Sequence, residues 1–227
     1  MPILPPPCRF YFAKICRFYF AKNGRCKITD YNYFRKWKNE GVFEDIMDTL
    51  REKVRVSMGR EDTPSLGIMD SRSVKTSHHV DSDRGIDGNK KIKGRKQQAV
   101  VDTLGLHMAL SIHEANIHDS VGAVSVVKVM IDRFPRLKKI LVDGGYQGEA
   151  LANIVKKDLG CELSVALRPN ESSKKFSVIP KRWIVERSFS WLENFRRVAI
   201  DYEFFSESSL AMLQIAFSAI MLKKLFL

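Results

Sequence analysis

The order of the predicted secondary-structure elements constrains the fold of this chain more than any other feature. Strand-type apolar stretches at Leu66–Met69, Gln98–Thr103 and Leu106–His113 precede the long helical pattern over Asp119–Met130. Strands and helices then alternate: "KILVD" predicts a strand, Gly148–Leu159 a helix and "CELSVAL" a strand. This order predicts an α/β fold, a mixed sheet with helices on its faces.

The chain has three predicted parts within its 227 residues. Residues 1–28 form an irregular segment in which "CRFYFAK" occurs twice, and residues 29–57 a short helical region. A polar linker separates that region from the main domain over residues 65–227, which is long enough to bury a sizeable core. In the main domain, Pro180 begins a predicted helix that continues to about Phe195, and the last helix begins near Ser206.

The charge of the chain favours a polyanionic partner. Thirty-eight basic and 26 acidic residues give a net charge of +12, which is typical of nucleic-acid-binding proteins, although a solvated basic surface has the same composition. The densest basic run is Arg84–Gln97, inside a stretch of residues 76–96 that we expect to be a long loop gripping phosphates. The predicted DNA-contacting residues are Lys75, Lys90, Lys91, Lys93, Arg95, Lys96, Arg182 and Arg187.

Composition argues against a zinc protein and a membrane protein. The four cysteines contain no CxxC pair, and reduced thiols fit a cytosolic protein. The most apolar segment, Leu210–Leu222, is shorter than the roughly 20 residues that span a bilayer, so we expect a buried C-terminal helix. Trp183 and Trp191 are expected to pack in the core rather than against bases. We therefore predict a cytoplasmic protein without a membrane partner.

Two aspartates follow predicted strands. Asp70 ends the first strand and Asp143 ends the fourth, and ligands of open α/β sheets bind outside the carboxyl ends of the strands. If these two strands are neighbours, the carboxylates converge. Gly144 and Gly145 would allow the backbone to approach a metal or phosphate closely, although Asp before Gly-Gly is also an ordinary turn signal.

A third carboxylate, Glu186, lies beside the apolar stripe of the helix that begins at Pro180. Arg182, one helical turn earlier, can hold the Glu186 side chain in place in such a site. The simpler alternative is that Glu186 only forms a surface ion pair with Arg182 or Arg187. Together the three carboxylates would form a hard oxygen site suited to Mg²⁺ or Mn²⁺. Paired ions in such sites clamp the attacking and leaving oxygens of a phosphodiester.

In these segments the chain resembles bacterial insertion-sequence transposases of the DDE type, in the group often called "IS-five". The similar segments, in the order of the family, are "MDSRSVKTS", "KKIKGRKQQAVVDTLG", "ANIHD", "LVDGGYQG" and "RWIVERSFSWLENFRR…DYE". They extend over Ser65–Leu222, and "YFRKWKNEGVFEDIMDTLR" is similar to the region before the catalytic domain of the family.

The resemblance implies a ribonuclease-H-like core in which Asp70, Asp143 and Glu186 are the catalytic and metal-binding triad. It implies metal-dependent cleavage at the inverted-repeat ends of the element, followed by transfer of the freed 3′-hydroxyl into target DNA. It further implies homo-oligomerisation when active and a bacterial, nucleoid-associated location. Arg182 and Glu186 match the Arg-x-x-x-Glu element of the family.

The chain departs from the family at three places. Ile179 stands where many relatives carry tyrosine, and Glu193 where some carry a basic residue. The duplicated segment within residues 1–28 stands where relatives carry a longer DNA-binding region, as expected of a truncated or rearranged copy. Two alternative functions therefore stay open: a non-catalytic DNA-binding remnant and a general metal-dependent nuclease of the same fold.

Overall fold

The computed structural model of the chain describes residues 27–80, 83–166 and 181–226, with side chains from Asp30 onward. The "CRFYFAK" duplication, the predicted helix start at Pro180 and the departure at Ile179 lie outside the described residues. The chain divides into two compact units, the first ending at Phe43 and the second beginning at Glu44. The domain boundaries predicted from the sequence stay predictions.

The first unit contains α1, Lys27–Asn39. Phe34 and Trp37 lie one helical turn apart and are buried, and their ring centroids lie 5.6 and 6.2 Å from that of Phe43. Gly41 adopts the left-handed conformation, with φ +71°, that ends α1 and lets α2 begin at Val42.

The second unit holds most of α2, Val42–Ser57, which buries Met47, Leu50 and Val54 at helical spacing. Its sheet is built from β1 (Leu66–Lys75), β2 (Gly85–Asp87), β3 (Ile92–Val101), β4 (His107–Glu114), β5 (Lys139–Val142) and β6 (Glu162–Val165).

The main strands of the sheet lie in the order β4-β3-β1-β5-β6, and the short β2 pairs with the beginning of β3. β3 runs antiparallel to both β1 and β4, whereas β1, β5 and β6 are mutually parallel. The first and fourth predicted strands are thus neighbours, the arrangement that brings Asp70 and Asp143 together.

Helices cover both faces of this sheet. They are α3 (Asp119–Met130), α4 (Glu149–Leu159), α5 (Trp183–Leu192), α6 (Arg196–Ala199) and α7 (Ser206–Phe226). Because side chains alternate along β1, Met69 points into the core beneath α3, where it joins Val126 and Ile140, and Asp70 points to the other face, towards α5. The ribonuclease-H-like α/β fold predicted from the sequence is confirmed.

Three predicted boundaries were wrong. β1 continues past Asp70 to Lys75, and the predicted loop over residues 76–96 contains β2 and the first residues of β3. The hydrophobic pattern did not show this because β1 and β3 continue their pairing through polar residues. A Cβ atom at Gly94 would lie 1.9 Å from the carbonyl oxygen of Val74, so this close strand contact requires glycine. The helix predicted to reach about Phe195 ends at Leu192.

α7 contains the apolar C-terminal segment of the chain. Within the described residues it is the one helix long and apolar enough to cross a membrane by length and composition. Half of its most apolar stretch is buried inside the protein, including Met212, Ile215 and Phe217, as in the core helix of a soluble protein. A single helix of this kind is weak support for a membrane span.

Candidate active site beside the end of strand β5

The register of β1 and β5 places Asp70 and Asp143 side by side. The last parallel pair is Ile68 with Leu141, and each aspartate lies two residues further along its strand direction, hence on the same face. β5 ends at Val142, whereas β1 continues and pairs Asp70 with Ala99 of β3. The two carboxylates therefore lie on the same face of the sheet, beside the position where β5 ends and β1 continues.

Asp143 begins a short 3₁₀ turn over Gly144–Tyr146. Its Oδ1 accepts a hydrogen bond from the Gly145 N–H at 2.9 Å, which caps the turn, and its Oδ2 lies 3.2 Å from Nη2 of Arg182. A Cβ atom at Gly145 would lie 3.1 Å from Asp143 Oδ1. One oxygen of the Asp143 carboxylate therefore caps the turn, and the other forms the ion pair with Arg182.

Asp70 is partly buried, as is Asp143. Its Oδ1 accepts a hydrogen bond from the Ser71 N–H at 2.7 Å. Burial raises the pKa of Asp70 to about 6, while the Ser71 N–H and the Arg182 charge oppose this rise and Asp143 adds to it. Across the described segments, no Lys or Arg lies within ion-pairing distance of this carboxylate. Ionised Asp70 therefore carries a desolvation cost that a bound cation would relieve.

Arg182 links Asp143 to Glu186. Its Nε lies 3.5 Å from Glu186 Oε1, an ion-pair distance rather than a hydrogen bond, and its Nη2 contacts Asp143 as described above. The Glu186 side chain is 58% exposed, which lets it change rotamer at low cost. The predicted ion pair between Arg182 and Glu186 is present, and the guanidinium occupies the place between two of the three acids.

The carboxylate oxygens of these three acids are suitable ligands for Mg²⁺ or Mn²⁺, but the three side chains are not grouped around one point. Carboxylate oxygens are the ligands that both ions prefer, and the partly buried carboxylate of Asp70 has no ion pair with a described Lys or Arg. Over the residues that the structure describes, no three His, Cys, Asp or Glu side chains are grouped closely enough to hold a metal ion. Glu186 must leave Arg182 before the three predicted ligands could share an ion.

The predicted DNA-contacting lysines divide into two sets. Lys75, Lys90, Lys91 and Lys93 are exposed around the β2–β3 turn and the end of β1. Lys91 has a positive φ of 52°, which fits its place in a tight turn between two strands. These four amino groups are accessible to a phosphate.

Arg95 and Lys96, which we predicted to contact DNA, instead have buried internal partners. Arg95 is fully buried, and its guanidinium contacts Asp201 Oδ2 at 3.0 Å and two backbone carbonyl oxygens near it. The Lys96 ammonium lies 2.9 Å from Asp119 Oδ1 and donates to the Ile117 carbonyl oxygen at 2.8 Å. Burying either charge without its partner would be costly, so neither is available to DNA.

One tryptophan of α5 also differs from expectation. Trp183 is half exposed rather than part of the core. The Arg187 guanidinium lies 4.6 Å from the Trp183 ring centroid and 5.1 Å from that of Trp191, and its Nη2 donates to the Leu104 carbonyl oxygen at 3.1 Å. Arg187, a predicted DNA contact, is thus largely engaged within the protein.

Sequence reasoning missed several polar residues beneath the carboxylates. Ser71, Lys96 and Gln98 alternate on one face of β1 and β3, and all three are buried. Tyr146 is buried too; burial, together with the charges of Asp70 and Asp119, raises its pKa, so its hydroxyl stays protonated. The available signal was an uninterrupted run of polar residues in each of two central strands, Asp70–Ser73 and Arg95–Gln98.

Comparison with known proteins gives similarities of three kinds: to a family model, to a relative in sequence and to solved structures. The family model described as "Transposase DDE domain" matches residues 61–222. A Burkholderia cepacia protein assigned as the transposase of insertion sequence element IS402 is 30% identical over 121 residues, 48% of this chain and 54% of that protein. This chain thus matches about half the length of that relative.

A solved structure is also similar over part of its length. It is a chain of the simian T-cell lymphotropic virus intasome in complex with PP2A regulatory subunit B56 gamma. The sequences are 13% identical, the match covers 66% of this chain and 48% of that chain, and the TM-score is 0.39. A similarity this low says nothing about activity. The family match covers most of the second unit, including Asp70, Asp143 and Glu186, and the chain therefore belongs to the transposase DDE domain family.

Proposed function

We propose that this protein is a DNA transposase in which Asp70, Asp143 and Glu186 carry out metal-dependent cleavage of element ends and strand transfer into target DNA. The observation that carries the proposal is the convergence of Asp70 and Asp143 on one face of neighbouring parallel strands, with Arg182 joining Asp143 to Glu186. Family membership supports the same chemistry.

Asp70 and Asp143, with Glu186 once it is released from Arg182, would hold Mg²⁺ or Mn²⁺. When bound, such an ion supplies Lewis-acid stabilisation of the charge that develops on the phosphate. Arg182 pairs with Asp143 and Glu186 in the free protein, and in the complex it would contact a phosphate of the bound strand. Ser71 holds the Asp70 carboxylate through its N–H.

The exposed lysines would supply sequence-independent affinity for DNA. Lys75, Lys90, Lys91 and Lys93 extend from the end of β1 and the β2–β3 turn, and phosphate contacts of this kind position a duplex without reading its sequence. We propose DNA as substrate and partner, with a homo-oligomer of this cytoplasmic protein holding two element ends.

The decisive experiment compares wild type with Asp143→Asn on an oligonucleotide carrying the element end, with Mn²⁺ present. Asn keeps the cap to Gly145 but removes the charge, so we expect folding to be retained and cleavage to fall by at least about 1,000-fold, in line with removal of a metal ligand. Cleavage that persists in the folded variant would contradict the assignment. Joining of the cut end to a second DNA distinguishes a transposase from a general nuclease.

A DNA-binding remnant without catalysis is the second candidate. It is favoured by the lack, within the described residues, of three metal-ligand side chains grouped around one point. It predicts salt-dependent DNA binding by wild type with no cleavage at any Mn²⁺ concentration, and detectable metal-dependent cleavage excludes it.

A further inference from the structure

A buried polar network lies on the opposite face of the sheet from the Asp70 carboxylate. Ser71 follows Asp70 on β1, so its side chain points to that opposite face, where its hydroxyl donates to Asp119 Oδ1 at 2.7 Å. Asp119, the first residue of α3, receives the Lys96 ammonium on the same oxygen at 2.9 Å. Lys96 is fixed in turn by the Ile117 carbonyl oxygen.

The same network reaches the Asp143 turn. Tyr146, the last residue of that turn, is 1% exposed, and its hydroxyl accepts a hydrogen bond from Gln98 Nε2 at 2.7 Å. Gln98 pairs in register with Ser71 across β1 and β3. Both carboxylate-bearing segments are thus anchored, through Ser71 and Tyr146, to polar side chains of one sheet face.

We infer that Asp119, charge-paired with Lys96, is a positioning residue that fixes Ser71 and, through the Ser71 N–H, the carboxylate of Asp70. The inference deepens the proposed function and rests on it. Asp119 binds the side chain of Ser71 while Asp70 Oδ1 binds its backbone N–H, so the Ser71 residue is held from both sides of the strand. Rotation of this peptide unit would turn the N–H away from Asp70.

An alternative role for Asp119 is purely structural, as the partner of a buried lysine that ties α3 to β3. The two roles differ in what each variant does. A structural residue affects the free energy of unfolding alone, whereas a positioning residue affects the metal affinity of protein that is fully folded. Outer partners of metal ligands typically contribute 10- to 100-fold in metal affinity.

Ser71→Ala is the most informative variant, because it removes the hydroxyl and leaves the Lys96–Asp119 pair intact. We expect the Mn²⁺ dissociation constant of the full chain, measured by titration calorimetry at pH 7.5, to rise about tenfold. The DNA affinity measured in EDTA should not change. Ser73→Ala is the matched control, since the Ser73 hydroxyl lies on the same face of β1 but donates to Asp87, and its Mn²⁺ affinity should equal that of wild type.

Asp119→Ala removes the acceptor of the Ser71 hydroxyl and should weaken Mn²⁺ binding to a similar extent, but it leaves Lys96 without a counter-charge and so destabilises the fold. The double variant Asp119→Ala/Lys96→Met removes the acceptor and both charges, which separates the two roles. If the double variant regains the stability of wild type but still binds Mn²⁺ about tenfold more weakly, the result supports the positioning role of Asp119. Recovery of both to wild-type values overturns the inference, as does folded Ser71→Ala within twofold of wild type.

The Asp70→Asn variant distinguishes failure of the proposed metal site from failure of the positioning role of Asp119. If wild type binds Mn²⁺ no better than Asp70→Asn, the metal site itself is wrong and the inference falls with it. If Asp70→Asn loses Mn²⁺ while Ser71→Ala keeps full affinity, the metal site stands and the positioning role of Asp119 alone is refuted.

Discussion

Asp201 and Asp70 are both largely buried aspartates, but they have opposite surroundings. Asp201 accepts the Arg95 guanidinium and the Ser209 hydroxyl on Oδ2 and the Glu203 N–H on Oδ1. Asp70 has one described hydrogen-bond donor, the Ser71 N–H, and no described ion-pair partner. Asp201, with all of these partners, stabilises the fold. Asp70, with few partners, lowers the stability of the folded protein when it is ionised, and a bound ligand would offset that loss.

Asp102 extends this comparison. It is fully buried, forms an ion pair with Arg55, and accepts the N–H groups of Leu104 and Leu106 on Oδ1, which fixes the turn between β3 and β4. The acids that build the architecture thus have several donors each, whereas in the candidate site Asp70 accepts one described N–H, and Asp143 and Glu186 share the single guanidinium of Arg182. We expect this difference to distinguish structural carboxylates from those of the candidate site.

Asp201→Asn should have the largest effect on stability. The change keeps the shape and most hydrogen bonds but leaves the buried Arg95 charge unpaired, so we expect a loss of about 3–5 kcal/mol in the free energy of unfolding. Urea denaturation at pH 7 measures it. Asp201→Asn/Arg95→Met should recover most of the loss, and a single variant as stable as wild type would mean that saturation by donors does not mark structural acids.

Asp70→Asn should change stability in the opposite direction. Because the pKa of Asp70 is raised from 3.8 to about 6, folded protein binds this proton more tightly than unfolded protein, and wild type loses stability as pH rises between these values. The variant lacks this penalty, so in EDTA it should be more stable than wild type by about 1–3 kcal/mol at pH 8 and nearly equal at pH 4.

Urea denaturation of both proteins at the two pH values measures this difference. A variant that is less stable than wild type at pH 8 would show that Asp70 contributes to the fold like Asp201. Cleavage activity of Asp70→Asn is expected to be lost although its stability increases, the sign of a residue kept for function.

Glu186→Gln should change stability little. The side chain is 58% exposed and its ion pair with Arg182 is a surface pair, so we expect a change within about 0.5 kcal/mol together with loss of cleavage. Thermal unfolding and the single-turnover cleavage rate are the two measurements. Normal cleavage by this variant would remove Glu186 from the site and leave the two aspartates alone.

Replacing Lys90, Lys91 and Lys93 together by glutamine should have the smallest effect on stability, because all three are exposed. The slope of log K against log salt concentration for DNA binding should decrease in magnitude by up to about 2.7, since each phosphate contact contributes roughly 0.9. Lys156→Gln/Lys157→Gln is the control. These exposed lysines end α4, at the edge of the sheet opposite Asp143, and the salt dependence should equal that of wild type.

The sequence alone determined the order of the elements and the α/β fold class, and it predicted that Asp70 and Asp143 lie close together if their strands are neighbours; the tertiary structure decided that they are. Element order depends on local hydrophobic periodicity, which a single chain displays, and neighbouring parallel strands bring their carboxyl ends together whatever the details of packing. The sequence also indicated the helical ion pair of Arg182 with Glu186, because residues four apart on a helix are neighbours.

Only the tertiary structure decided which charges face solvent. Lys93 and Arg95 are two positions apart in one basic run, yet Lys93 is exposed and Arg95 is fully buried. The difference arises because Asp201, 106 positions along the chain from Arg95, returns to pair with it. The same holds for Asp119 and Ser71: partners of a buried polar group come from distant parts of the sequence, and no local pattern encodes them.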